Sequence, residues 1–151
     1  MININFIPLF DDKELTDAVE EYKKIWKKDS EKIIAVFKNV SKLSFSEKRI
    51  GVVIYEGVSY SGRTLNDPMK LRASLSTDIK KATLIHELGH RLLIGTGKPP
   101  PKDLSSHDVL FLILYDVWTE LYGKEFADNA VNWESKREGR TNYEQFWNNV
   151  L

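Results

Sequence analysis

The amino-acid sequence predicts a single α+β domain, and three observations carry that reading. Ile2, Ile4 and Phe6 alternate with Asn3 and Asn5, and Met69, Leu71, Ala73 and Leu75 alternate with Lys70, Arg72 and Ser74. A two-residue period of this kind marks half-buried strands. Leu15, Val19, Tyr22 and Trp26 recur instead at helical spacing, as do the apolar residues between Leu84 and Leu93. At 151 residues the chain can bury one sizeable core without disulfides or a structural metal.

Taken in order, the first strand is expected to end at Pro8, and Asp11 or Asp12 caps a helix to about Lys28. A second helix is expected from Ser30, with Ile33, Phe37 and Val40 inward. Gly51 to Tyr55 reads as a buried strand, and Val58 with Tyr60 as a short partner across Glu56-Gly57. After the turn-rich stretch 61–68 comes the alternating strand from Met69 to Leu75. It leads into a helix that opens near Ser76-Thr77-Asp78 and ends at Gly95, a candidate left-handed cap. Gly97 and Pro99-Pro100-Pro101 make the next stretch an extended loop. Ser105 and Asp108 have capping-box spacing and open a very apolar helix to about Gly123. Two amphipathic helices follow, near Lys124 to Lys136 and Thr141 to Val150.

Composition narrows the function classes. Lysine plus arginine (22) equals aspartate plus glutamate (22), so no basic excess points to nucleic acid or a membrane surface. The absence of cysteine removes disulfides and thiolate metal sites, and fits a reducing compartment. Residues 1–10 carry no basic leader, and the longest apolar run, Val109 to Tyr115, is too short to span a bilayer. The expected location is cytoplasmic.

The chemistry concentrates in His86-Glu87-Leu88-Gly89-His90. Two histidines four residues apart project from one helix face and can bind one zinc ion from the same side. Glu87 is rotated about 100° around the axis. It can therefore reach a water on the open side of the metal, as a general base must. Gly89 lets a neighbouring strand or helix approach closely, or simply permits tight packing. The chain has only three histidines, and the third, His107, follows His90 by 17 residues.

Catalytic zinc keeps three protein ligands and leaves one place for water, so a third ligand is required. His107, Asp108, Asp116 and Glu120 are candidates, with Asp103 and Glu134 behind them. His107 is the best donor chemically, because neutral imidazole suits zinc. Glu120 is the alternative, since a downstream helical glutamate is another common third ligand. At about 100° per residue, His107 and Glu120 fall on separate faces of one helix, so a straight helix does not supply both. With His107 as ligand, Asp116 could accept a hydrogen bond from a metal-bound histidine, or it could belong to a solvated face or pair with Arg91 or Lys124. Tyr60, Tyr115, Tyr122 and Arg91 are candidates to stabilise an oxyanion.

By His86-Glu87-Leu88-Gly89-His90, and by the order alternating strand, motif helix, loop, second helix, the chain resembles the zincin metallopeptidases. The resemblance covers about Ile50 to Gly123. It implies a small zincin-like domain whose sheet, mostly antiparallel or mixed, packs on the motif helix, with further helices at both ends. It implies a peptide or protein substrate, His86 and His90 on zinc, Glu87 activating the water, and an extended peptide held along Met69 to Leu75 by strand addition. Leu93 and Thr96 stand where a metzincin has glycine and histidine, and the downstream signature of large gluzincins is missing. His107 with Phe111 is similar to the small intracellular SprT-like proteins. The expected activity is zinc-dependent peptide-bond hydrolysis. Its rival is a zinc-binding regulatory or protein-interaction module without efficient peptidase activity.

Overall fold

The computed structural model describes residues 1–137 and 143–150. Three strands, β1 (Asn3–Pro8), β2 (Arg49–Tyr55) and β3 (Met69–Arg72), form one sheet in the order β1-β2-β3. Five helices accompany them: α1 (Lys13–Ser41), α2 (Thr77–Ile94), α3 (Ser106–Tyr122), α4 (Lys124–Ser135) and α5 (Tyr143–Val150). The α+β class holds. Residues 141–142, where the last helix was expected to begin, lie outside the described residues.

Both strand pairs are parallel, with Ile4 opposite Ile50 and Ile54 opposite Leu71. The expectation of a mostly antiparallel or mixed sheet is therefore corrected. The reason lies in the connections. Parallel neighbours need a crossover of about a dozen residues or more, and α1 between β1 and β2, and the stretch 56–68 between β2 and β3, both provide one.

The expected break between two helices near Ser30 is also absent. The buried stripe of α1 runs without interruption through Leu15, Val19, Tyr22, Trp26, Ser30, Ile33 and Phe37. Asp12 caps the start by accepting from the Leu15 N–H, as expected, and Lys42 in the left-handed conformation (φ 63°) ends the helix. One long amphipathic helix thus crosses from β1 to β2. It lies against β1, α2 and α3.

Tyr60 does not pair back onto the strand 51–55. It exchanges both backbone hydrogen bonds with Lys70, at 2.8 Å each, as an isolated antiparallel bridge. The side chain of Ser59 accepts from the Arg72 N–H, and the Arg72 carbonyl accepts from Tyr22 Oη. The short segment 59–60 therefore covers the outer edge of β3. The alternation of Met69, Leu71 and Ala73 (buried) with Lys70, Arg72 and Ser74 (exposed) is as the sequence pattern requires.

One hydrophobic cluster draws on all three strands and all five helices, from Ile2 to Trp147. At its centre Phe111 of α3 stacks on Trp147 of α5, with ring centroids 4.1 Å apart. Among the described residues no helix is long and apolar enough to cross a membrane.

Candidate metal centre

Helix α2 begins where Ser76 accepts from the Ile79 N–H. Its other end differs from expectation: Gly95 is right-handed (φ −62°), and the left-handed glycine is Gly97 (φ 69°) in the following turn. The twelve buried residues of α2 include the whole motif from His86 to His90. Helix α3 starts as the capping-box spacing demands. Ser105 accepts from the Asp108 N–H, and Asp108 accepts from the Ser105 N–H. That box fixes the first helical residue at Ser106 and so puts His107 in the first turn.

Gly89 explains how α3 comes close enough. A Cβ built on Gly89 would run into Cδ1 of Leu110, which is fully buried. Leu110 lies one turn after His107, so the missing side chain seats the first turn of α3 beside the two histidines of α2. The close-approach reading of this glycine and the tight-packing reading are one fact.

The result is a group of three histidines, His86, His90 and His107, that could hold a metal ion. Nε2 of His90 is 3.2 Å from Nε2 of His86 and 3.2 Å from Nε2 of His107. Burial pulls His90 well below its ordinary value and His107 down to about 4, with the charge of His86 adding to both. His86 is the exception. Burial acts to lower it, but the charge of Glu134 and its hydrogen bond more than offset that, so the value is raised.

Glu134 does not join the three histidines, in keeping with its low rank as a ligand, but it fills the place of histidine partner that the sequence offered to Asp116. It is buried, and Nδ1 of His86 donates to its Oε1 across 2.5 Å. Its other oxygen accepts from Trp147 Nε1 at 2.9 Å. The hydrogen bond leaves Nε2 of His86 to face the cluster, the usual arrangement of a metal-binding histidine. A signal was present: Ala127, Ala130 and Glu134 form the buried stripe of α4, and an acid on such a stripe needs a partner.

The other carboxylates lie elsewhere. Asp116 and Glu120 are exposed on α3 and do not join the cluster, Asp108 is occupied in the capping box, and Asp103 is exposed. Neither Glu120 as metal ligand nor Asp116 as histidine partner is supported. Tyr115 donates to Asp128, and Tyr122 to Asp29, away from the histidines.

Arg91 is also not an oxyanion donor. Its Nε and Nη2 hold Glu47 at 2.8 and 2.6 Å, and its remaining N–H groups reach the carbonyls of Ser61, Thr64, Leu65 and Asp67. A guanidinium has five N–H groups, and all are committed to fastening 61–67 onto α2. Gly62, at φ 91°, takes a conformation that a side chain would disfavour, and a Cβ there would lie 3.0 Å from Arg91 Nη1.

His90 and His107 open onto a cleft of about 1000 Å³. Glu87, Tyr143, Leu93, the segment 59–63 and Pro99 to Pro101 are among the residues that line it. Glu87 is buried at the cleft wall, and burial raises its carboxyl above the ordinary value. Tyr143, absent from the sequence-derived candidates, sets its ring 5.2 Å from that of His107. Strand addition along Met69 to Leu75 is not available, because Tyr60, Ser59 and Tyr22 already use the outer hydrogen-bonding groups of Lys70 and Arg72.

Comparison of the chain with protein-family models, with curated proteins and with solved structures gave no match. The fold and the histidine cluster therefore carry the functional argument alone.

Proposed function

We propose that the chain is a zinc-dependent peptidase, with His86, His90 and His107 holding the ion and Glu87 acting as general base. The observation that carries the reading is the nitrogen spacing. Tetrahedral ligands at the usual zinc–imidazole distance stand about 3.3 Å apart, and two of the three nitrogen pairs are separated by 3.2 Å. Three imidazoles leave one position for water, which suits a catalytic site better than a structural one. When bound, zinc would supply Lewis acidity toward a carbonyl oxygen and toward water.

The chain's own residues supply the rest. Glu134 fixes the tautomer of His86 by accepting from Nδ1, and Trp147 holds Glu134 in place. Glu87 lines the cleft beside His90 and His107. A carboxylate in that position suits a group that takes a proton from water and returns it to a leaving amine. Segment 59–63, fastened by Arg91, forms a fixed wall for an extended substrate.

Metal analysis of protein purified without a histidine tag, followed by turnover of a diverse peptide library, tests the reading. Wild type should carry about one zinc per chain and cleave. Glu87→Gln should keep the zinc and lose turnover by about 100-fold or more. Equal silence of the two proteins with zinc bound would instead leave a zinc-binding interaction module, and absence of bound metal would remove both readings.

A further inference from the structure

A second hollow, of about 460 Å³, lies beside the metal cleft and is lined by Val58, Ser59, Arg72, Trp133, Lys136 and Arg137. Ser59 lines both cavities, so a chain following the segment 59–63 passes from one to the other. Arg137 links them physically. Its guanidinium lies 4.7 Å from the centre of the Tyr143 ring and 5.4 Å from that of Trp133, and Tyr143 in turn meets His107 in the metal cleft. One aromatic ring thus separates this cation from a metal ligand.

We propose that this hollow is a subsite for a carboxylate of the peptide substrate, with Arg137 and Lys136 as its recognition groups. The inference rests on the peptidase reading of the neighbouring site. Three cations meet there, and Arg72 has an acidic neighbour, Glu56, at 3.7 Å. Among the described residues neither Lys136 nor Arg137 has a carboxylate within ion-pair reach. Contact with two ring faces restrains the guanidinium, so less side-chain freedom is lost when it binds an anion. A nucleic acid is a poorer fit, because affinity for phosphates grows with the number of cations engaged and the chain is neutral overall.

The carboxylate could belong to an acidic side chain or to the end of a peptide. Binding to zinc-loaded Glu87→Gln protein separates these sources, read by fluorescence anisotropy with labelled octapeptide pools. One pool carries Glu at a single scanned position, a second carries Gln there, and each is made with a free or an amidated C-terminus. A side-chain subsite predicts that one Glu position binds about tenfold tighter than its Gln counterpart. A terminal subsite predicts the same gain for free acid over amide. In either case Arg137→Gln and Lys136→Gln together should collapse the gain, and Arg137→Lys should keep part of it. Thermal melting confirms that each variant is folded.

Equal binding of acidic, neutral, free and amidated pools overturns the proposal. So does a preference that survives in the double variant, or displacement of the peptide by a short oligonucleotide but not by the Glu pool. None of these readouts needs turnover. A carboxylate preference in a protein that cleaves nothing would leave the subsite standing and reject the peptidase reading.

Discussion

Nδ1 of His86 donates to Oε1 of Glu134 across 2.5 Å, joining the motif helix α2 to helix α4. Neither group is solvent-accessible to any useful degree, with side-chain exposures of 1% and 2%. A buried contact of this kind does more than pack two helices. It decides which nitrogen of His86 faces His90 and His107.

Glu134→Gln keeps the size of the side chain but removes its charge, and sets an amide N–H₂ or a weaker acceptor against His86 and Trp147. Metal affinity should fall about 10- to 100-fold, measured by competition with a chromophoric chelator. Unchanged affinity would mean that the contact is structural only.

His107 and Glu120 make opposite predictions. His107→Ala should release the metal on dialysis, whereas Glu120→Ala, altering an exposed side chain, should retain a full equivalent. Elemental analysis of the two proteins decides between them.

Gly89→Ala reverses the usual sign of a helical substitution. Alanine ordinarily gains about 1 kcal/mol over glycine inside a helix. Here the added methyl meets Leu110, and overpacking of a filled core costs about 1–3 kcal/mol. Urea unfolding should show a net loss, and metal affinity should drop with it because His107 shares the displaced turn. Trimming the obstacle with Leu110→Ala in the same chain should restore part of the metal affinity.

Arg91→Met would strand Glu47, whose side chain is only 9% exposed in the native pair. Removing one partner of a buried ion pair costs about 3–5 kcal/mol. Arg91→Lys should recover less than half of that loss, since an ammonium cannot span a carboxylate and four carbonyls at once. Limited proteolysis should become faster within 61–67 in both variants.

Acid stability should depend on Glu21. Hydrogen bonds from Lys80 and Thr77 hold its carboxyl below the ordinary value of 4.5. A group whose folded value is depressed stabilises the fold fully above its unfolded value, and that contribution is lost as pH falls through the folded value. Glu21→Gln should therefore be less stable than wild type at neutral pH, and the two should converge on acidification to about pH 3. Urea midpoints across that range measure it.

Much of this architecture was legible because local patterns and long-range packing agree. The stripe Leu15-Val19-Tyr22-Trp26, the Ser105–Asp108 cap and the alternation through Met69 to Ala73 each state a local rule that the fold obeys. His107 was legible because imidazole suits zinc better than the rival carboxylate Glu120, and the structure brings it beside His86 and His90. Strand direction was not, because alternation is the same in parallel and antiparallel strands and only the crossovers decide. The break expected at Ser30 failed for a related reason: a polar residue on a buried stripe looks like a boundary, yet Ser30 is buried within the helix.

Glu134 and Arg91 mark the limit more sharply. Both are charged residues whose partners lie far along the chain, Glu134 with His86 and Arg91 with Glu47 and the carbonyls of 61–67. Their burial was partly readable from neighbouring apolar positions. Their partners depend on which helices pack together, and a single sequence does not state that.

The Tyr60–Lys70 bridge has a consequence for how the protein behaves at high concentration. An open edge strand is a template for joining sheets of different molecules, and the outer groups of β3 are withheld from that by 59–60. The same few residues form a wall of the cleft. Substitutions that loosen this wall to widen the cleft would also bare a hydrogen-bonding edge. A roomier cleft would then come with poorer colloidal stability.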